Sequence, residues 1–343
     1  MNDNILKEDT KLFAEQFDLW EQLRGNTFLI TGATGLIGSV MIKCLLELNR
    51  KRELGVKIKA VVRNLEKAKD IFCDEYEDIE FLRIPLVGIN VGSTGIDVDY
   101  IIHLASPTAS KYFVEHPVET LRTALEGTTA ILDYAKEAEV KRMVYASSLE
   151  VYGSNNNDNL IDENFQGYIN PLDVRSSYSI GKRACECLCH TYAKEFGINV
   201  MMARLTQTFG AGISENDNRV FAQFARSVMN GDNIVLHTEG KSAKPYCYTT
   251  DAVSALLYML LRGEGGEAYN IANENSYISI REMAHMMCEE FNPSITVSVV
   301  IKEDQGYAPV TRLRLDTQKI KSLGWHPNYD LRNMFGRLLL FLK

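Results

Sequence analysis

The run Phe28-Leu29-Ile30-Thr31-Gly32-Ala33-Thr34-Gly35-Leu36-Ile37-Gly38 starts as an apolar strand pattern and breaks into glycines spaced three apart. It then resumes as a helical apolar stripe through Ile42, Leu45 and Leu46. A strand that turns straight into a helix leaves unpaired backbone N–H groups at the helix start, where the helix dipole also favours negative charge. A dinucleotide pyrophosphate fits such a place. Gly32 then makes the tight turn, Gly35 lets the backbone approach the phosphates, and Gly38 lets the helix pack closely on the sheet. The candidate cofactor contacts here are Gly32, Thr34, Gly35, Leu36, Ile37 and Gly38.

Outward from the turn, strands and helices alternate. Residues up to about Gly25 predict an amphipathic helix, with Leu12, Phe13, Phe17, Trp20 and Leu23 at helical intervals, packed on the domain or on a second subunit. Strands are predicted at 57–62, 79–84, 100–105, 143–146 and 198–203, and helices at 118–138 and from about Ser177 onward, with a turn-rich loop at 154–159. That alternation predicts βαβ units and an α/β fold built on a doubly wound parallel sheet of Rossmann type. Past it the pattern loosens into helices at 219–229, 250–261 and 280–290, strands at 234–237 and 268–272, and two helical stretches around Gly324-Trp325. The expected division is a helical extension over 1–25, a dinucleotide-binding domain over 26–205 to which strand 268–272 returns, and a smaller mixed α/β substrate lobe over 206–343. Ligands of such sheets lie outside the carboxyl ends of the strands. Leu104, Ala105 and Ser106 are therefore further cofactor candidates, and Pro107 a substrate candidate, in the loop that runs on to Thr108.

A chain of 343 residues can bury one large or two modest cores. Its net charge of −8, with no basic block and no interleaved aromatics, argues against nucleic acid and against an anionic membrane as partner. The start is polar and acidic, and no apolar run reaches spanning length, so a cytoplasmic protein is expected. Seven cysteines without a C-x-x-C pair indicate neither a disulfide framework nor a zinc ribbon, and no metal site is expected.

Chemistry concentrates at Ser148, after the fifth strand, and at Tyr178-Ser179-Ile180-Gly181-Lys182, at a helix start. Tyr178 and Lys182 are four apart and share a helical face. A free phenol titrates near pH ~10, too high for a base at neutrality. The Lys182 ammonium, together with the positive nicotinamide of an oxidised cofactor, is expected to favour the phenolate. Ser148 would hydrogen-bond the same substrate oxygen while a hydroxyl proton leaves to Tyr178.

A glycine turn, a serine, and Tyr-x-x-x-Lys thirty residues after the serine form a pattern that resembles the short-chain dehydrogenase/reductase superfamily. From Thr27 to Trp325 the chain is similar to its extended, nucleotide-sugar-modifying branch, the NAD-dependent epimerase/dehydratase family. Within that branch it looks most like the UDP-glucuronate decarboxylases. The carrying segments are HLASPT (103–108), ASSLEVYG (146–153), INPLDVRSSYSIGKR (169–183), ARLTQTFG (203–210) and NRVFAQF (218–224). The resemblance implies bound NAD, a nucleoside-diphospho-sugar substrate, and catalytic roles for Ser148, Glu150, Tyr178 and Lys182. Ser148 and Tyr178 would sit at the sugar hydroxyl, Lys182 on the cofactor ribose and Glu150 beside the reacting carbons. It further implies that Arg219 and Val220 meet the base and that Arg312 meets the sugar or its diphosphate. Arg175, Gln207 and Lys244 complete the implied substrate contacts. A homodimer formed through the 118–138 helix and the Tyr178 helix, in a cell-surface glycoconjugate pathway, is also implied.

The implied reaction makes a 4-keto sugar, from which three exits open: decarboxylation, dehydration, or re-reduction from the other face to an epimer. The chain departs from the family pattern at several positions. Leu149 stands where decarboxylases have serine and many dehydratases aspartate, Ile180 replaces an acid, Gln207 an asparagine and Lys244 an arginine. Arg63 follows the second strand, where an acid would hold the ribose 2′-hydroxyl of NAD and an arginine instead suits the 2′-phosphate of NADP. With Lys67 one turn on, it resembles NADPH-using reductases. The alternatives are thus a 4-epimerase or 4,6-dehydratase, an NADPH-dependent sugar-nucleotide ketoreductase, and a non-catalytic NAD(P)-sensing protein.

Overall fold

The computed structural model describes residues 3–87, 89, 97–107, 110–302 and 310–343, so Thr108 lies outside the described residues. Its centre is a sheet of seven strands: β1 (Thr27–Thr31), β2 (Lys57–Val61), β3 (Glu80–Leu82), β4 (Tyr100–His103), β5 (Arg142–Ser148), β7 (Val200–Leu205) and β11 (Ala268–Ile271). Their spatial order is β11-β7-β5-β4-β1-β2-β3, and every pairing in it is parallel. β1, β4, β7 and β11 are buried along their whole length, as a parallel sheet covered on both faces requires. Side chains alternate between the two faces. Phe28 and Ile30 enter one core with Ile42, Leu45 and Leu256, while Leu29 enters another with Ile101, Ile131 and Cys185.

The helices Leu36–Arg52 and Thr249–Arg262 cover the first face, and Pro117–Glu137 and Ser176–Phe196 the second. Helix Thr249–Arg262 thus serves the main sheet although it comes late in sequence. A further core gathers Phe209, Phe221, Tyr246, Met283 and Phe335 around a mixed sheet ordered β12-β10-β8, built from β8 (Gln207–Phe209), β10 (Ala243–Tyr248) and β12 (Asn273–Ser279). None of these three strands is expected from the sequence, for each is short or irregular. β10 holds Lys244 and Pro245 within it and shifts register between Lys244 and Tyr246. Two small parallel pairs complete the strands. β6 (Leu160–Ile161) joins β14 (Arg314–Leu315), and β9 (Ile234–Leu236) joins β13 (Val297–Val299).

The amphipathic N-terminal stretch is an α-helix over Asp3–Gln16 followed by a short 3-10 turn over Trp20–Leu23. It packs on this chain: Phe13, Ala14 and Phe17 join the main core, and the buried Asp9 carboxylate takes hydrogen bonds from Tyr248 and Arg337. Among the described residues no helix is long and apolar enough to cross a membrane, and no cluster of ligating side chains could hold a metal ion.

A buried polar cluster beneath β5 was not visible in the sequence. Arg204 of β7 pairs with Glu186 at 2.7 Å, and Ser147 donates to the same carboxylate. The guanidinium also reaches the Tyr152 hydroxyl and the Glu163 carbonyl. Tyr152 in turn donates to Asn270 on β11. Removing one member of a buried pair strands the other charge, which costs more than the pair itself contributes. Arg204→Met is expected to lower stability by about 3–5 kcal/mol, and Glu186→Leu added to it to restore much of the loss. Urea unfolding midpoints of the single and double variants check this.

Candidate functional site

Gly32 leaves β1 with φ +68°, a backbone conformation that side chains disfavour. A Cβ there would stand 2.8 Å from the backbone of Leu104 and Ala105. A Cβ on Gly38 would stand 2.4 Å from the Gly32 carbonyl oxygen. Gly35 forms the extended N-cap of helix Leu36–Arg52, and no side chain caps that end. The N–H groups of Leu36, Ile37 and Gly38 are therefore left for a ligand, and these residues fit the pyrophosphate of a dinucleotide. The Thr31 hydroxyl pins the neighbouring strand exit: it accepts from the N–H groups of Leu104 and Ala105 and lies 2.6 Å from His103 Nδ1. Burial pushes His103 down to about 3, so the ring is neutral and structural.

At the carboxyl end of β5, the Ser148 hydroxyl lies close enough to Tyr178 to lower its phenol. Ser148 Oγ also accepts from the Glu150 N–H. The Tyr178 ring lies flat on Phe113, with centroids 4.3 Å apart and planes 7° apart. One turn along the helix, the buried Lys182 donates from Nζ to the Ala146 carbonyl at 2.7 Å and stands over the faces of Tyr145 and Tyr178. Burial pushes Lys182 down to about 8. The Glu150 carboxylate accepts from Ser179 Oγ at 3.1 Å.

In the chain by itself burial holds the Tyr178 phenol above its ordinary value, the Glu150 charge pushes it the same way, and Ser148 works against them. Lys182 Nζ stands 5.7 Å from the centre of the Tyr178 ring while donating to the Ala146 carbonyl.

Lys244 of β10 lies within electrostatic reach of Glu150. Burial lowers its amine below the usual range, and three charges act on it: Glu150 opposes that shift, while Arg175 and Arg219 add to it. Arg175 is the N-cap of helix Ser176–Phe196. Arg219 is the N-cap of the helix Val220–Asn230, which Val220 begins; it pairs with Asp217 and donates to the Thr208 carbonyl. Gln207 starts β8, in register with Tyr246 of β10. Pro107 and Ser106 follow the end of β4, where Ser106 Oγ donates to the Pro107 carbonyl.

Arg312 lies beside β10: its backbone bridges to Ala243, the residue before Lys244, while its guanidinium is paired with Asp158 at 2.7 Å and bonded to the Lys241 carbonyl. Arg63 is exposed beyond the end of β2. The sequence pattern did not single out Phe113, Ser179 or His103. Ser179 sits inside the Tyr-x-x-x-Lys run, which is the one signal that could have drawn attention to it; nothing in the sequence announces that Phe113 meets Tyr178.

The model of the NAD-dependent epimerase/dehydratase family matches residues 28–272. UDP-glucuronic acid decarboxylase 3 of Arabidopsis thaliana is 33% identical over 310 residues, covering 89% of this chain and 85% of that protein. Among solved structures, the UDP-N-acetylglucosamine 4-epimerase of Methanobrevibacter ruminantium M1 superposes with a TM-score of 0.78 at 18% identity, covering 93% of this chain and 98% of its own. The dTDP-glucose 4,6-dehydratase DesIV of Streptomyces venezuelae gives 0.75 at 22%, covering 92% and 96%. These two likenesses concern the fold.

The glycine cradle generates a direct test. Gly38→Ala, which places a methyl group against the Gly32 carbonyl, is expected to weaken dinucleotide binding at least about tenfold while leaving a folded chain. Calorimetric titration with NAD, beside a circular dichroism spectrum, measures both.

Proposed function

Because the chain belongs to the NAD-dependent epimerase/dehydratase family, we propose that it converts a nucleoside-diphospho-sugar through a 4-keto intermediate, with UDP-glucuronate as substrate and decarboxylation as outcome. It is an enzyme, and its cofactor is NAD, which when bound takes up and returns a hydride. The observation that carries the reading is Glu150, held by Ser179, whose charge acts both on the Tyr178 phenol and on the Lys244 amine.

The chain's own residues perform the rest. Ser148 holds the sugar hydroxyl, and Tyr178 takes its proton as the carbinol carbon is oxidised. The Lys182 ammonium, buried against Ala146, orients the ribose side of the cofactor and steadies the phenolate through its ring. Lys244, Arg175 and Arg219 supply positive charge where a diphosphate and a sugar carboxylate must be held. Once the ring ketone lies β to that carboxylate, the bond from the carboxylate to the ring carbon between them breaks, carbon dioxide leaves, and the electron pair of that bond passes into the enolate of the ketone; Glu150 would stand beside the same ring carbon as it is then protonated. Leu149 is buried in an apolar cluster with Val151, Tyr152 and Ile161 and offers no proton, which disfavours dehydration.

The lobe beyond residue 206, apart from the returning β11 and helix Thr249–Arg262, is read as the nucleotide-sugar site. The protein works in the cytoplasm as a homodimer formed through helices Pro117–Glu137 and Ser176–Phe196, on which Val118 and Phe196 are exposed.

Incubation with UDP-glucuronate is expected to give carbon dioxide and a UDP-pentose with no net absorbance change at the reduced-nicotinamide band. Tyr178→Phe should abolish turnover by a factor of about a hundred or more while the cofactor still binds. Stoichiometric NADPH consumption would instead assign the ketoreductase reading, and a mass-neutral product the epimerase. No turnover across UDP-, dTDP-, CDP- and GDP-sugars would leave the sensing protein. Sedimentation at micromolar concentration should show a dimer; a monomer alone overturns that interface.

A further inference from the structure

Helix Ser176–Phe196 lays three side chains against the end of β5, one per turn: Tyr178, Lys182 and Glu186, each four residues after the last and so on one face. Two of them clasp consecutive residues of the strand. Lys182 donates from Nζ to the Ala146 carbonyl at 2.7 Å, and the Ser147 hydroxyl donates to Glu186 Oε1 at 2.5 Å. Ser147 continues the face of β5 on which Met143 and Tyr145 enter the core beneath this helix, so its hydroxyl meets Glu186 from the strand side. Ser148, the next residue, stands beside Tyr178. The register of helix on strand, and with it the placing of the Tyr178 phenol against Ser148, is therefore set two turns away from the phenol.

The clasp has a second end. Ser147 pairs with Arg204 across β5 and β7, and the Arg204 guanidinium holds both oxygens of Glu186, at 3.0 Å from Nε and 2.7 Å from Nη2. Its remaining nitrogen, Nη1, donates to the Tyr152 hydroxyl at 3.1 Å and to the Glu163 carbonyl at 2.7 Å. Tyr152 closes the 3-10 turn Leu149–Tyr152, whose second residue is Glu150. One buried guanidinium thus ties the chain just before Ser148 and just after Glu150. An apolar pair of the same volume would serve the fold about as well, but it could not hold those two points. Among the described residues, the titratable groups facing Lys182 are His103 of β4, Tyr145 of β5, and Tyr178, Cys185, Glu186 and Cys189 of its own helix. Glu186 is the only carboxylate of that set. We propose that Glu186 is a positioning residue: through Ser147 and Arg204 it fixes the turn that carries Ser148 and Glu150, and its charge supports the Lys182 ammonium that meets the cofactor. This role rests on the reading of Ser148, Glu150 and Lys182 as the groups that meet substrate and cofactor.

Two variants separate the parts. Ser147→Ala removes the strand's hold on Glu186 and leaves every charge in place. Glu186→Gln keeps the shape and removes the charge, so the Lys182 amine, which burial pushes down and Glu186 holds up, gives up its proton at lower pH. With UDP-glucuronate, Ser147→Ala is expected to lower kcat about fivefold or more, with KM changed less than about twofold and the pH profile unmoved. Glu186→Gln is expected to lower kcat about tenfold or more and to move the basic limb of its pH profile down by about half a unit or more. The same displacement is read with no sugar present, by calorimetric titration of the nucleotide-stripped protein with NAD⁺ across neutral and mildly alkaline pH. Affinity should begin to fall at lower pH in Glu186→Gln than in the native chain. A merely structural pair would lower the urea midpoint of the variant and move neither limb. The role is overturned if Ser147→Ala turns over at the native rate, or if neither limb moves in Glu186→Gln. Circular dichroism checks that both variants fold, and Ser147→Ala, a neutral change, decides by itself should Glu186→Gln not fold. A native chain that leaves UDP-glucuronate untouched fails the substrate reading, and the NAD⁺ titration then decides the role of Glu186. Native turnover with both variants unaltered fails that role and spares the substrate reading.

Discussion

Everything in the cleft is positioned by backbone lying on backbone where β1 and β4 end. Gly32 rests against Leu104 and Ala105 with no room for a methyl group, and the Thr31 hydroxyl gathers the N–H groups of the same two residues. The contact fixes how far apart two strand exits stand, and with it the height of the helix that presents its N–H groups to a phosphate. The neutral, buried His103 locks the junction from below through Thr31 and Thr128. A charged imidazole there would be an unpaired buried cation, and burial ensures that it does not form.

The cluster around Tyr178 is organised by a competition between burial and charge. Burial alone would keep Tyr178 protonated and Lys182 weakly basic, and both shifts are in that direction. The chain by itself therefore holds a resting phenol, with Glu150 adding to the cost of ionising it. Positive charge brought by a bound cofactor would lower that cost. This suits an enzyme that should not abstract protons before its cofactor and substrate are in place.

Much of this was legible because parallel sheets buried on both faces leave plain marks. β1 and β4 read as unbroken apolar runs, and strand ends carry residue types whose chemistry is evident, with glycine after β1 and serine at the end of β5. The fourfold spacing of Tyr178 and Lys182 likewise survives as adjacency on one helix. What was lost shares a cause, namely contacts between segments far apart in sequence. β8, β10 and β12 are stabilised by one another and not by local propensity. The Glu186–Arg204 pair, the Phe113–Tyr178 stack and the electrostatic reach between Glu150 and Lys244 each join separate stretches of chain.

The short pairing of β6 with β14, reinforced by Arg312 on Asp158, ties a loop from the first half of the chain to a segment near its end. β11, which follows β10 and precedes β12 in the chain, returns to the edge of the main sheet beside β7. The small mixed sheet is thus stitched to the main one, and separating the two would tear hydrogen-bonded strands.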